Sequence, residues 1–160
     1  MRTQDLFGVL SIKLPASWTV EVIKNQVAKG QPQALEAEAF DASESEDAET
    51  AIETGHLNIK CYQFEIKDEQ QQAQLLTSVY AETDKEQLSE NVFWGLEELR
   101  GEEEGDDVAI MRWLVSSMQN SAQFTLVIFN YSVSADAMSS ESVSEEIQML
   151  EESIKHTEWS

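Results

Sequence analysis

The side chains best suited to bind a transition metal are His56, Cys61 and His156, the only two histidines and the only cysteine in the chain. Zinc takes three or four such ligands. Five-residue spacing on an extended strand sends His56 and Cys61 to opposite faces, and His156 lies far away in sequence. A histidine at a strand edge and a buried free cysteine are the expectation, because a free cysteine packs as a small apolar residue. Glu102-Glu103-Glu104 with Asp106 and Asp107 supplies oxygen ligands for calcium. The run lacks the alternating ligands and the final bidentate glutamate of an EF-hand loop, so a solvated acidic turn is expected. No serine lies in a Gly-x-Ser-x-Gly turn, and the six glycines are scattered singly rather than gathered into a phosphate loop. Any two of 31 acids could form a glycosidase-like pair, so such a pair carries no information. No catalytic signature emerges, and neither a metal nor another cofactor is expected.

What the residues do specify is a field. The chain has 31 acidic and 10 basic residues, a formal net charge of −21 on 160 residues. Residues 1–29 hold Arg2, Lys13, Lys24 and Lys29 against Asp5 and Glu21, so nearly all the excess lies beyond Gly30. From Gly30 to Ile59 there is no Lys or Arg at all. Glu44, Glu46, Asp47 and Glu49 concentrate in this stretch. Such a field repels nucleic acid and anionic lipid and speeds encounter with basic proteins.

The length suits one domain with a real core, and 41% hydrophobic residues with four Trp, six Phe and three Tyr fit a folded chain. A single domain over 1–160 is expected, with a mobile acidic loop at about 41–55.

 The N-terminus, Met1 to Phe7, lacks the apolar run of a signal peptide, and no apolar stretch reaches about 18 residues. With one cysteine and hence no internal disulfide, a cytoplasmic location is expected, without membrane insertion.

The elements that must position these residues follow from periodicity. Phe7–Lys13 reads as a strand, Leu14-Pro15-Ala16-Ser17 as a turn, and Trp18–Ile23 as a second strand. A break follows at Lys29-Gly30-Gln31-Pro32, and Ala34–Phe40 alternates as a third strand. Leu57–Ile66 is a strand whose apolar phase switches from Leu57, Ile59 and Cys61 to Tyr62, Phe64 and Ile66. One extra residue exchanges the two faces, so a bulge near Cys61–Tyr62 is expected. Asp68 with Gln71, Thr83 with Glu86, and Ser142 with Glu145 read as starts of three helices. The middle helix spans 84–100, with Leu88, Val92, Leu96 and Leu99 on one face and Gly101 as its C-terminal cap. Val108–Met118 and Phe124–Ser132 form a hairpin around Asn120-Ser121-Ala122. The order favours an α+β fold, an antiparallel β-sheet flanked by helices.

The segment Leu10-Ser11-Ile12-Lys13-Leu14-Pro15-Ala16-Ser17-Trp18 resembles the N-terminal hairpin of PsbP-like and DcrB-like proteins. The C-terminal hairpin and the helix ending Glu152-Ser153-Ile154-Lys155 resemble their tails. The two helices and the acidic loop in the middle depart from that pattern. The resemblance implies a helix-flanked antiparallel sandwich used mostly for binding, in a group that includes chaperones for type VI secretion effectors.

Trp113 alternates with Met111 and Val115 and reads as core, whereas Trp94 falls beside the main stripe of its expected helix, and Trp159 is next to the last residue. An exposed tryptophan among acids has the composition of a protein-binding hot spot. The expected function is a non-enzymatic protein-binding module, an immunity-type protein that neutralises a basic toxin or effector. Its partner-binding residues would be Glu44, Glu46, Asp47, Glu49, Trp94, Glu102, Glu103, Glu104, Asp106 and Asp107. The alternative is an effector chaperone that binds an apolar segment through Phe93, Trp94 and Trp159. An enzyme of unrecognised type has no positive support, and a halophilic origin would explain the acidity without any partner.

Overall fold

The computed structural model describes residues 2–26, 33–41, 56–81, 83, 85–89, 91–103, 105–120 and 123–159. Within them the chain is a strand-dominated α+β fold with antiparallel sheets. The order is β1 (Arg2–Leu6), β2 (Leu10–Leu14), β3 (Trp18–Gln26), β4 (Gln33–Asp41), β5 (His56–Glu65), α1 (Glu69–Val79), β6 (Glu86–Ser89), β7 (Val92–Glu103), β8 (Asp106–Asn120), β9 (Gln123–Ser134), α2 (Glu141–Lys155) and β10 (Glu158–Trp159). A 3-10 turn, Ala135–Ser139, links β9 to α2. A seven-stranded sheet runs β3-β4-β5-β9-β8-β7-β6, and a three-stranded one runs β1-β2-β10.

The N-terminus differs from the single strand expected at Phe7–Lys13. Phe7 and Gly8 have φ of 60° and 71°, and the Val9 amide donates to the Leu6 carbonyl at 3.0 Å. Positive φ at both central residues of the Leu6–Val9 turn gives a twist that matches antiparallel strands, and the Leu6↔Leu10 register leaves Phe7, Gly8 and Val9 as a three-residue connection. Gly8 takes that conformation without a Cβ penalty. Phe7 does bear one, and its ring packs against the core. Leu10–Trp18 is likewise no hairpin. The turn closes, with the Trp18 amide donating to the Pro15 carbonyl at 3.0 Å, but β2 and β3 enter different sheets.

The largest difference lies at 84–100. The residues expected to form a helix form β6 and the first part of β7, and Gly101, expected as a helix cap, is a mid-strand residue paired with Val108. Leu-Glu-Glu-Leu favours a helix on propensity alone. Val92, Phe93 and Trp94 favour a strand, and the register with β8 runs unbroken from Val92↔Ser117 to Glu103↔Asp106. A ladder of that length outweighs local propensities worth only tenths of a kcal/mol per residue.

Both faces of the large sheet are used, unequally. The inner face carries Leu35, Ala37, Ala39, Leu57, Ile59, Cys61, Trp113, Val115, Val127, Phe129 and Tyr131, all buried in one core with α2 and the small sheet. Val143, Leu150 and Ile154 of α2 enter that core, as the sequence stripe requires. The helix begins two residues earlier than expected, because Ser140 rather than Ser142 caps it, accepting from the Val143 amide at 3.2 Å. The outer face is covered by α1 at one end, where Leu75, Leu76, Val79 and Tyr80 meet Tyr62, Phe64, Leu114, Phe124 and Leu126. Asp68 caps α1 by accepting from the Gln71 amide at 2.8 Å, and Gln71 Oε1 accepts from the Lys67 amide at 2.9 Å.

This two-sided core explains the apolar switch in β5. Its registers with β4 and β9 are continuous, and the expected bulge at Cys61–Tyr62 is absent. Leu57, Ile59 and Cys61 belong to the inner core, while Tyr62, Phe64 and Ile66 belong to the cluster beneath α1.

Candidate functional site

The acidic turn is the tip of the β7–β8 hairpin. Glu102 pairs with Asp107 and Glu103 with Asp106, and Gly105 turns the chain with φ of 88°. Glu102, Asp106 and Asp107 are exposed, and no ion pair among the described residues involves them. Like charges directly opposite on a ladder destabilise it. Glu104 lies outside the described residues, as do Glu44, Glu46, Asp47 and Glu49 of the expected acidic loop.

Register brings the hairpin tip to the same end of the sheet as the chain positions that flank the acidic 42–55 segment. His56 pairs with Ser132, Ser132 with Ile110, and Ile110 with Leu99. The tip begins just beyond that row. The two acidic segments are far apart in sequence, yet the strands that flank them end at the same end of the sheet, with β9 between the two pairs.

Trp94 is not part of this end. It sits roughly 26 Å along β7 from Glu102, at about 3.3 Å per residue, and is buried, only 7% exposed. Its indole donates to Glu86 Oε2 at 3.2 Å, and Lys155 Nζ lies 4.4 Å from its ring centre. The exposure expected from a helix is thus corrected: on a strand, Trp94 shares the inner face with Val92. Phe93 is half-buried beside α1 and Trp159 packs against the inner core. The three aromatics therefore do not form one exposed groove.

On the outer face, beyond α1, a polar row crosses the sheet in register: Glu97↔Arg112, Arg112↔Asn130, Asn130↔Asn58, Asn58↔Glu38 and Glu38↔Glu21. Arg112 Nε donates to Asn130 Oδ1 at 2.8 Å, and its Nη1 is 3.6 Å from Glu97 Oε2. Thr83 Oγ1 also donates to Glu97. Asn58 Nδ2 donates to Glu36 Oε1 at 3.0 Å, and His56 Nε2 is 3.2 Å from Glu38 Oε1. Sequence reasoning missed this row. Its signal was the change along β9 from Phe124, Leu126 and Ile128 to Asn130, Ser132 and Ser134 at alternate positions.

The residues that could bind a transition metal lie apart. His56 is exposed on the outer face and Cys61 buried on the inner, so the two do not converge. Burial pushes the Cys61 thiol up to about 12, which leaves it protonated and unreactive at neutral pH. Tyr80 is pushed up to about 12, also by burial. Its hydroxyl lies 2.8 Å from Ser116 Oγ and donates to the Phe93 carbonyl at 3.0 Å, tying α1 to the sheet. Among the described residues no three His, Cys, Asp or Glu side chains gather as a metal site. A shallow, open recess runs along α1 between Gln70, Ala73, Gln74, Thr77 and Ser78. Among the described residues no helix is long and apolar enough to cross a membrane.

Comparison with family models, with curated proteins and with solved structures finds no match for this chain.

Proposed function

We propose that this chain is a non-enzymatic binding module that captures a basic protein, in the manner of an immunity protein that neutralises a cationic toxin or effector. The observation that carries this reading is the β7–β8 tip. The like-charge positions Glu102 and Asp107, and Glu103 and Asp106, stand in register there at the cost of hairpin stability, and no ion pair among the described residues involves Glu102, Asp106 or Asp107. Carboxylates held in this way serve a partner better than they serve the fold. The −21 net charge adds long-range attraction for cations. A cytoplasmic setting goes with this reading, since the lone Cys61 needs no oxidising compartment.

The resemblance to PsbP-like and DcrB-like proteins stays part of this reading and rests on the sequence of the Leu14-Pro15-Ala16-Ser17-Trp18 corner. The second reading, an effector chaperone, is favoured by half-exposed Phe40, Leu99, Val108 and Ile110 on the outer face. The test is affinity capture at low salt, followed by association kinetics with the captured partner. Reversal of Glu102 and Asp107 to lysine is expected to slow association about tenfold at low salt, with the difference shrinking as salt rises. An acidic partner, or unchanged rates, overturns the proposal. Salt-insensitive binding favours the chaperone.

A further inference from the structure

We draw no further inference here: the strongest candidate, the exposed, uncharged face of α1 with its shallow recess between Gln70, Ala73, Gln74, Thr77 and Ser78, is a helix face of small and amide side chains, and nothing in the structure shows what covers it.

Discussion

The two faces of the seven-stranded sheet are built from the same strands and have different fates. Along β9, Val127, Phe129, Tyr131 and Val133 are all buried on the inner face. Their neighbours on the outer face begin as buried Phe124 and Leu126 and end as half-exposed Asn130, Ser132 and Ser134. β5 repeats the change in reverse, from His56, Asn58 and Lys60 to Tyr62, Phe64 and Ile66. Along β9 one face is core throughout, and the other is half core and half surface, with its boundary where α1 stops. The difference shows that a strand's own alternation does not specify burial. What covers each face does.

Adjacent residues on β9 provide the sharpest contrast. Phe129→Ala is expected to destabilise the fold by about 3–5 kcal/mol, from lost burial and the cavity left behind. Asn130→Ala, next door on the open face, is expected to change stability by less than about 1 kcal/mol. Denaturant unfolding of both variants measures the comparison, and similar losses would break it.

The attachment of α1 comes next in size. Tyr80→Phe removes the hydroxyl that meets Ser116, a fully buried side chain, and the Phe93 carbonyl. The expected loss is about 1–3 kcal/mol. The same variant bears on pH. Cys61 and Tyr80 both have folded pKa values of about 12, above their ordinary 9.0 and 10.0. The folded state therefore holds these protons more tightly than the unfolded one, so their contribution is fully present below pH 9 and is lost as pH rises from 9 through 12. Unfolding curves across that range should fall less steeply for Tyr80→Phe than for the parent chain.

Lys155→Ala is expected to cost about 0.5–2 kcal/mol by removing the ammonium above the Trp94 ring. Lys155→Met keeps the apolar stem and separates the charge from the packing. The smallest effect has the opposite sign. Asp107→Lys turns a like-charge pair with Glu102 into an opposite-charge pair and is expected to stabilise the hairpin by about 0.2–1 kcal/mol. The same substitution slows capture of a basic partner. Gain of stability with loss of binding is the signature of a tip shaped by function, and a loss of stability would argue against it.

Much of the fold was legible in the chain. The β8–β9 hairpin, the capped start of α1 and the apolar stripe of α2 rest on local patterns, and the structure keeps them. The acidic turn was legible as a turn, although it joins two strands rather than the helix and strand expected. The open polar row was not, because Glu97, Arg112, Asn130, Asn58 and Glu38 come from five strands and meet only through register.

By itself the sequence determined the charge, the Asp68 cap, the turn at Pro15 and the alternation of most strands, since each depends on residues close to one another. Only the tertiary structure decided that 86–89 and 92–100 are extended, that Trp94 is buried, and that β5 needs no bulge. Each of those depends on a partner distant in sequence: the β8 ladder, the Lys155 end of α2, and α1 lying across the outer face. Local preferences of tenths of a kcal/mol per residue yield to a ladder or a buried face, whose contributions add up over many residues.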